Sequence, residues 1–298
     1  MPTIAFLLAP GVHLLDLAGP AHVFGAAAKF GLDYRLCYLA DAPVVPTAQG
    51  VSLQASVSIP ALDAEDMLVV PGCSGDSLTR TPRFGAALAE LLREFPGTVA
   101  SVCSGAVQLG RAGLLDGRRC TTHHSLQDEL GLRFPAATVI RDVLYVIDGR
   151  IVTSAGIASG IDLSLHLVAT AHGPGMAARI AREMVIYARR NGDEQQASAM
   201  LRHRSHLSDT VHRLQDHIDA RYSDRLPLAE LARSVGCSER TVTRLFVRAT
   251  GVTPLRYQQM LRVERAEHLI GQGATVDRAA QAVGFEDGRM LRRLRARG

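Results

Sequence analysis

No apolar run in this chain of 298 residues approaches the roughly 20 uncharged residues needed to span a bilayer. The uncharged start, residues 2–15, is broken by Pro10, Gly11 and His13, and no Lys or Arg precedes it. It does not read as a signal peptide, so a cytoplasmic protein with no membrane partner is expected. Cysteine is sparse: Cys37, Cys73, Cys103, Cys120 and Cys237 are scattered, with no C-x-x-C pair. That excludes a disulfide framework and points to free thiols in a reducing compartment. No metal-ligand spacing occurs; the pair His123-His124 is expected to point apart along a strand. Neither a metal nor a cofactor is therefore expected.

Lysine is absent from residues 201–298, whose positive charge rests on 18 arginines against 11 acids, a net +7. Residues 1–200 hold 15 basic against 18 acidic residues, a net −3. Such asymmetry points to a polyanionic partner for the second part. Apolar residues make up 47% and charged ones 21%, which argues against wholesale disorder and supplies real cores. The length suits one large domain and one small one.

Up to about residue 190, strand-like and helix-like segments alternate. Residues 3–8, 34–39, 67–70, 98–102 and 151–154 read as short buried strands. Helical stretches lie at 18–30, 83–95 and 105–112, and covering helices at 161–170 and 175–187. This alternation predicts an α/β domain, flavodoxin-like, with a mostly parallel sheet and helices on both faces. Residues 191–207 are polar and lack an apolar face, and read as a linker between a first domain, 1–190, and a second, 208–298.

The second part contains a repeat. Leu228, Leu231, Ala232 and Val235 follow the i, i+3, i+4, i+7 spacing of one buried helix face, and Val276, Ala279, Ala280 and Val283 repeat it 48 residues later. A glycine closes each stripe, Gly236 or Gly284, as suits the left-handed residue after a helix end. A cap candidate follows, Ser238 or Asp287, and then a second helix. Val242, Leu245 and Phe246 would pack inward in the first copy, leaving Arg240, Thr243 and Arg244 outward. Arg289, Arg292 and Arg293 are their counterparts. Helix, glycine turn and a helix edged with arginine make a helix-turn-helix unit, so the second domain is predicted to be all-α with two such units. Arginine suits both phosphate contact and bidentate reading of guanine. Between the copies, residues 254–270 read as one helix buried on two sides, able to hold the units about one DNA turn (roughly 34 Å) apart.

In the first domain, V-A-S-V-C-S-G (99–105) reads as a strand running into Cys103 and small residues that open a helix. A cysteine so placed is either a small buried apolar residue or a nucleophile on a sharp strand-to-helix turn. In the second case the helix N-terminus would favour the thiolate. P-G-C-S-G (71–75) follows another strand and is expected at the same sheet edge, where open α/β sheets bind ligands.

Two resemblances bear on these readings. L-A-R-S-V-G-C-S-E-R-T-V-T-R-L-F (231–246), G-V-T-P-L-R-Y (251–257) and A-A-Q-A-V-G-F-E-D (279–287) resemble the AraC/XylS DNA-binding domain. This implies double-stranded DNA as partner, with Arg240, Thr243, Arg244, Arg289, Arg292 and Arg293 contacting bases or phosphates. The family continues beyond the second recognition helix with an aromatic, a glycine-proline turn and a final helix, whereas this chain reads L-R-R-L-R-A-R-G. Arg295 stands where an inward apolar residue is expected, so the second unit is expected to lack part of its core.

L-L-D-L-A-G-P (14–20), V-V-P-G-C (69–73), V-C-S-G-A (102–106), A-G-L-L-D-G-R (112–118), T-T-H-H (121–124) and T-S-A-G-I-A-S-G-I-D (153–162) resemble the PfpI/ThiJ superfamily, which is glutamine amidotransferase-like. The fusion resembles the GlxA family of regulators, which implies an effector-responsive activator, a homodimer and no enzymatic activity. An effector site is then expected at Asp16, Gly72, Cys73, Cys103, Ser104 and His123, suited to an amino acid or amine. The alternative is an isonitrile hydratase-like enzyme in which Cys103 attacks and Asp16 moves the proton. Against it, Ser104 follows the cysteine where proteolytic members have histidine, T-H-W is replaced by Thr122-His123-His124, and Cys73 replaces the second glycine of P-G-G.

Overall fold

The computed structural model describes the chain except for residues 75–78, 187–189, 195, 197–202, 205, 272 and 297–298. It divides into two compact units, Met1–Gln196 and Ala197–Gly298.

The first unit is built on a six-stranded sheet. Its strands are β1 (Thr3–Leu8), β2 (Arg35–Ala40), β3 (Met67–Val70), β4 (Thr98–Val102), β5 (Tyr145–Asp148) and β6 (Ile151–Ser154). They run in the order β2-β1-β3-β4-β6-β5. All neighbours are parallel except β5, which pairs antiparallel with β6 at the edge. The central strands are apolar on both faces because both are covered. In β1, Ile4, Phe6 and Leu8 enter one core while Ala5 and Leu7 enter the other. Helices α1 (Leu14–Ala26), α5 (Ala158–His172) and α6 (Pro174–Glu183) supply the first core. Helices α2 (Ala86–Glu94), α3 (Ala106–Arg111) and α4 (Gln127–Arg133) supply the second. This is the expected flavodoxin-like arrangement. The sequence periodicity missed β5, the hairpin of Val44–Pro46 with Ser52–Gln54, and α4, all short or partly exposed.

The polar segment after residue 189 makes specific bonds to the first unit. Arg190 pairs with the buried Asp162 at 2.6 Å, and the Leu144 N–H donates to the carbonyls of Gly192 and Glu194. Residues 195, 197–202 and 205 of the expected linker lie outside the described residues.

The second unit is all-helical: α7 (Asp209–Ala220), α8 (Leu228–Ser234), α9 (Glu239–Thr250), α10 (Pro254–Gly271), α11 (Val276–Ala282) and α12 (Gly288–Arg295). Helices α8 and α9 form the first helix-turn-helix, and α11 and α12 the second. Phe246 and Tyr257, both 0% exposed, meet in the first core with ring centroids 5.5 Å apart and planes tilted by 59°. The second core is closed by Ala266, Ala279, Ala280, Val283, Phe285, Leu291 and Leu294. As expected, α10 serves both, giving Tyr257 and Leu261 to one and Ala266, with Val263 and Ile270, to the other.

The expectation for Arg295 is corrected. Leu294, 7% exposed, fills the inward position, and Arg295 faces outward, bonded to Glu267 at 3.1 Å. One helical step separates them by about 100°, so the apolar residue next in line takes the core.

Candidate functional site

Four adjacent parallel strands deliver one cluster at their carboxyl ends. After β1 comes Asp16 in the first turn of α1; after β3, Gly72 and Cys73; after β4, Cys103 and Ser104; after β6, Gly156 and Ile157. Cys103 stands at φ +57°, a left-handed backbone that non-glycine residues rarely adopt. The expected sharp turn is therefore present. Gly105 permits it, because a Cβ there would lie 2.0 Å from the Val70 carbonyl oxygen. Ser104 ties the two loops: its hydroxyl donates to the Cys73 carbonyl and accepts from the Cys73 N–H, each at 3.0 Å. Gly72 leaves open the space on which Asp16 Oδ2, Cys103 Cβ and Ser104 Oγ converge, at 2.5, 2.9 and 3.0 Å from where a Cβ would stand.

The cluster is closed. Asp16 is 0% and Cys103 8% exposed. Asp16 Oδ1 accepts from the Ile157 N–H at 2.7 Å, while Oδ2 is buried without a hydrogen-bond partner. Burial raises the Asp16 pKa. Burial, and next the Asp16 carboxyl, push the Cys103 thiol far up, and burial pushes Cys73 up to about 11. Burial thus acts against the thiolate that the helix terminus was expected to favour.

Thr122, beside His123, donates its hydroxyl to the Cys103 carbonyl at 2.7 Å, while the His123 ring itself bonds to Ser125. The two histidines do not point apart. They lie at the start of a short 3-10 turn, not on a strand, and their rings approach to 4.2 Å. Burial, and next His124, lower the His123 pKa. Among the described residues no group of three potential ligands could hold a metal ion. Gly156 and Ile157 were not singled out from sequence as site residues. A Cβ on Gly156 would lie 2.4 Å from Cys103 Cβ, and Ile157 takes φ +51°. Their signal was the block T-S-A-G-I-A-S-G, whose glycine precedes a helix.

The helical unit presents a different surface. Gly236 and Gly284 adopt φ +68° and +85°, as the turns require. Ser238 caps α9 by accepting from the Thr241 N–H, and Asp287 caps α12 by accepting from those of Arg289 and Met290. Arg240, Arg244, Arg289, Arg292 and Arg293 are all exposed. Arg292 lies 3.9 Å from Asp277, and the other four have no carboxylate partner among the described residues. Thr243 is half-buried, and its hydroxyl donates to the Glu239 carbonyl. Arg240, Thr243, Arg244, Val247 and Arg248 line one open groove of about 590 Å³ along α9.

Residues 2–170 match the sequence model of the DJ-1/PfpI family. The chain belongs to that family. A helix-turn-helix domain model matches residues 231–297. The HTH-type transcriptional regulator CdhR of Pseudomonas aeruginosa is 31% identical over 94% of this chain and 84% of its own length. Fusion of the two domains, as the GlxA resemblance implied, therefore extends along nearly the whole sequence. The isonitrile hydratase of Pseudomonas putida is 34% identical, over 55% of this chain and 69% of its own. Among solved structures, an AraC family transcriptional regulator from Pseudomonas putida superposes with a TM-score of 0.54 at 23% identity, covering 62% of this chain and all of the other. That likeness bears on the fold alone. No helix among the described residues is long and apolar enough to cross a membrane.

Proposed function

We propose that this DJ-1/PfpI family member is a transcription regulator that binds double-stranded DNA and answers to a small-molecule effector. In this reading residues 1–190 sense the effector, 191–207 connect, and 208–298 bind DNA. The observation that carries it is the pair of capped helices, α9 and α12, each with exposed arginines along its outer edge. Four of those guanidinium groups lack an acidic partner among the described residues, unlike Arg190, Arg204 and Arg295, which are paired. Arg240, Thr243 and Arg244 would read or clamp one half site, and Arg289, Arg292 and Arg293 the other. The similarity to CdhR along both domains supports the regulator reading over an enzyme.

Direct binding to short duplexes at low salt tests it. Arg244→Ala should weaken affinity by about 1–3 kcal/mol if it reads a base. A chain that ignores duplex DNA at low salt, with and without candidate metabolites, sinks the reading.

The effector site lies at Asp16, Gly72, Cys73, Cys103, Ser104 and His123. Asp16 Oδ2 is buried beside Cys103 and Gly72 without a hydrogen bond of ordinary geometry. An ammonium group of an amino acid or amine would satisfy it once the cover of Gly72 and Ile157 opens. Ligands that prefer the open form would shift the population, and ligands blind to it would switch nothing. A thermal-shift screen of amines and amino acids, repeated on Asp16→Asn, tests the assignment. Hits that persist unchanged in the variant remove Asp16 from the site. We also propose that the protein acts in the cytoplasm as a homodimer, which sedimentation of the purified chain tests. Burial raises the pKa of the Cys103 thiol, which weighs against hydratase chemistry there. Turnover of isonitriles abolished by Cys103→Ala would reverse that judgement.

A further inference from the structure

The two helix-turn-helix units meet at a seam that neither motif explains. The loop between α7 and α8 turns three consecutive carbonyls, of Tyr222, Ser223 and Asp224, toward α10. The Arg262 guanidinium on α10 donates to all three, at 2.6, 3.2 and 2.8 Å. Its remaining terminal nitrogen donates to the Gly284 carbonyl at 2.7 Å, in the glycine turn of the second unit. The same guanidinium lies 5.6 Å from the Phe285 ring centroid. Gly284 itself presses on the loop: a Cβ there would stand 1.9 Å from the Ser223 carbonyl oxygen. Tyr222 packs into both cores. One planar fork of five donors can serve four carbonyls at once, which the single centre of a lysine cannot. Gln258, one turn earlier, donates to the Tyr222 and Asp224 carbonyls but, among the described residues, to nothing in the second unit.

We infer that Arg262 is a positioning residue that locks the second helix-turn-helix against the first, and thereby sets the one half-site spacing that both recognition helices can read together. The side chain faces carbonyls and an aromatic ring within the protein, so its role is not phosphate contact. Each added base pair turns a half site by about 34° around the duplex, so a locked pair of helices discriminates sharply between spacings and a loose pair does not. This inference rests on the reading that both units bind DNA.

The test uses the full chain. Duplexes are first selected from a random-sequence library, and the two half sites of the recovered operator are moved apart one base pair at a time. Wild-type protein is expected to lose about tenfold or more in affinity two base pairs from its preferred spacing, the bivalent gain being lost. Arg262→Met should hold a single half site within about twofold of wild type and flatten the spacing profile, while Gln258→Ala should keep the wild-type profile. A sharp, unshifted profile in Arg262→Met overturns the inference and leaves DNA binding intact. Failure of wild-type protein to recover any duplex sinks the DNA-binding reading instead. If Arg262→Met loses its helical circular dichroism, Arg262→Lys is measured. Lysine holding fewer carbonyls with a partly flattened profile supports the lock, and unfolding of both variants overturns it by making the residue a requirement of the fold.

Discussion

The first helix-turn-helix unit closes around two large aromatic side chains, Phe246 and Tyr257, whereas the second closes around one, Phe285, with Ala266, Ala279, Ala280, Val283 and leucines from α12. The spacing pattern is the same in both, but the apolar volume is not. The second unit leans more on polar closure. Asp287 accepts two N–H groups at the start of α12, and Asp277 accepts a third, from Gly288. Its glycine turn rests on the neighbouring loop, where that of the first unit meets open space. One motif can therefore combine burial and backbone satisfaction in different proportions, and substitutions should separate the two.

The largest effect is expected from Phe246→Ala, which should cost about 3–5 kcal/mol in denaturant unfolding of the full chain. A loss below that of Leu294→Ala would break the contrast between the cores. Next come the turn glycines. Gly236→Ala meets nothing within 4 Å and should cost only the left-handed strain, about 1–2 kcal/mol. Gly284→Ala adds a collision with backbone and should cost clearly more. Equal costs would mean that the seam at Ser223 yields freely. Smaller still are the caps. Ser238→Ala and Asp287→Ala should each cost about 1 kcal/mol, with Asp287 the larger because it serves two donors beside the helix dipole; the reverse order would deny the second unit its polar closure. The smallest is Arg295→Ala. Its ion pair with Glu267 is half-exposed, and such pairs contribute about 0–1 kcal/mol. A cost of core size would restore Arg295 to the interior.

Much of this organisation was legible before any coordinates. Strand β1 is a run of apolar residues because both its faces are covered, and its limits, Thr3–Leu8, are those read from sequence. The stripes at Leu228 and Val276 marked helices whose glycines then proved left-handed. Strand β5 was not legible, since an edge strand with Ile147 exposed lacks a continuous apolar run. The site was legible in part. Cys103 and Asp16 were named and do meet, but Gly156 and Ile157 gave no signal of their own beyond a small-residue block.

What the sequence determined by itself is periodic and local: which segments pair or coil, where turns need glycine, and which helix edges carry arginine. Those follow from backbone geometry and burial repeated every two or 3.6 residues. Only the tertiary structure decided the state of the groups. Asp16 meets Ile157 across 141 positions, so the protonation of the buried cluster was written in no local pattern. Arg262 and Arg295 are both arginines on basic helices, yet one holds four carbonyls at an internal seam and the other a surface glutamate. The physical reason is that desolvation and hydrogen-bond partners belong to a place in space, which distant segments create together.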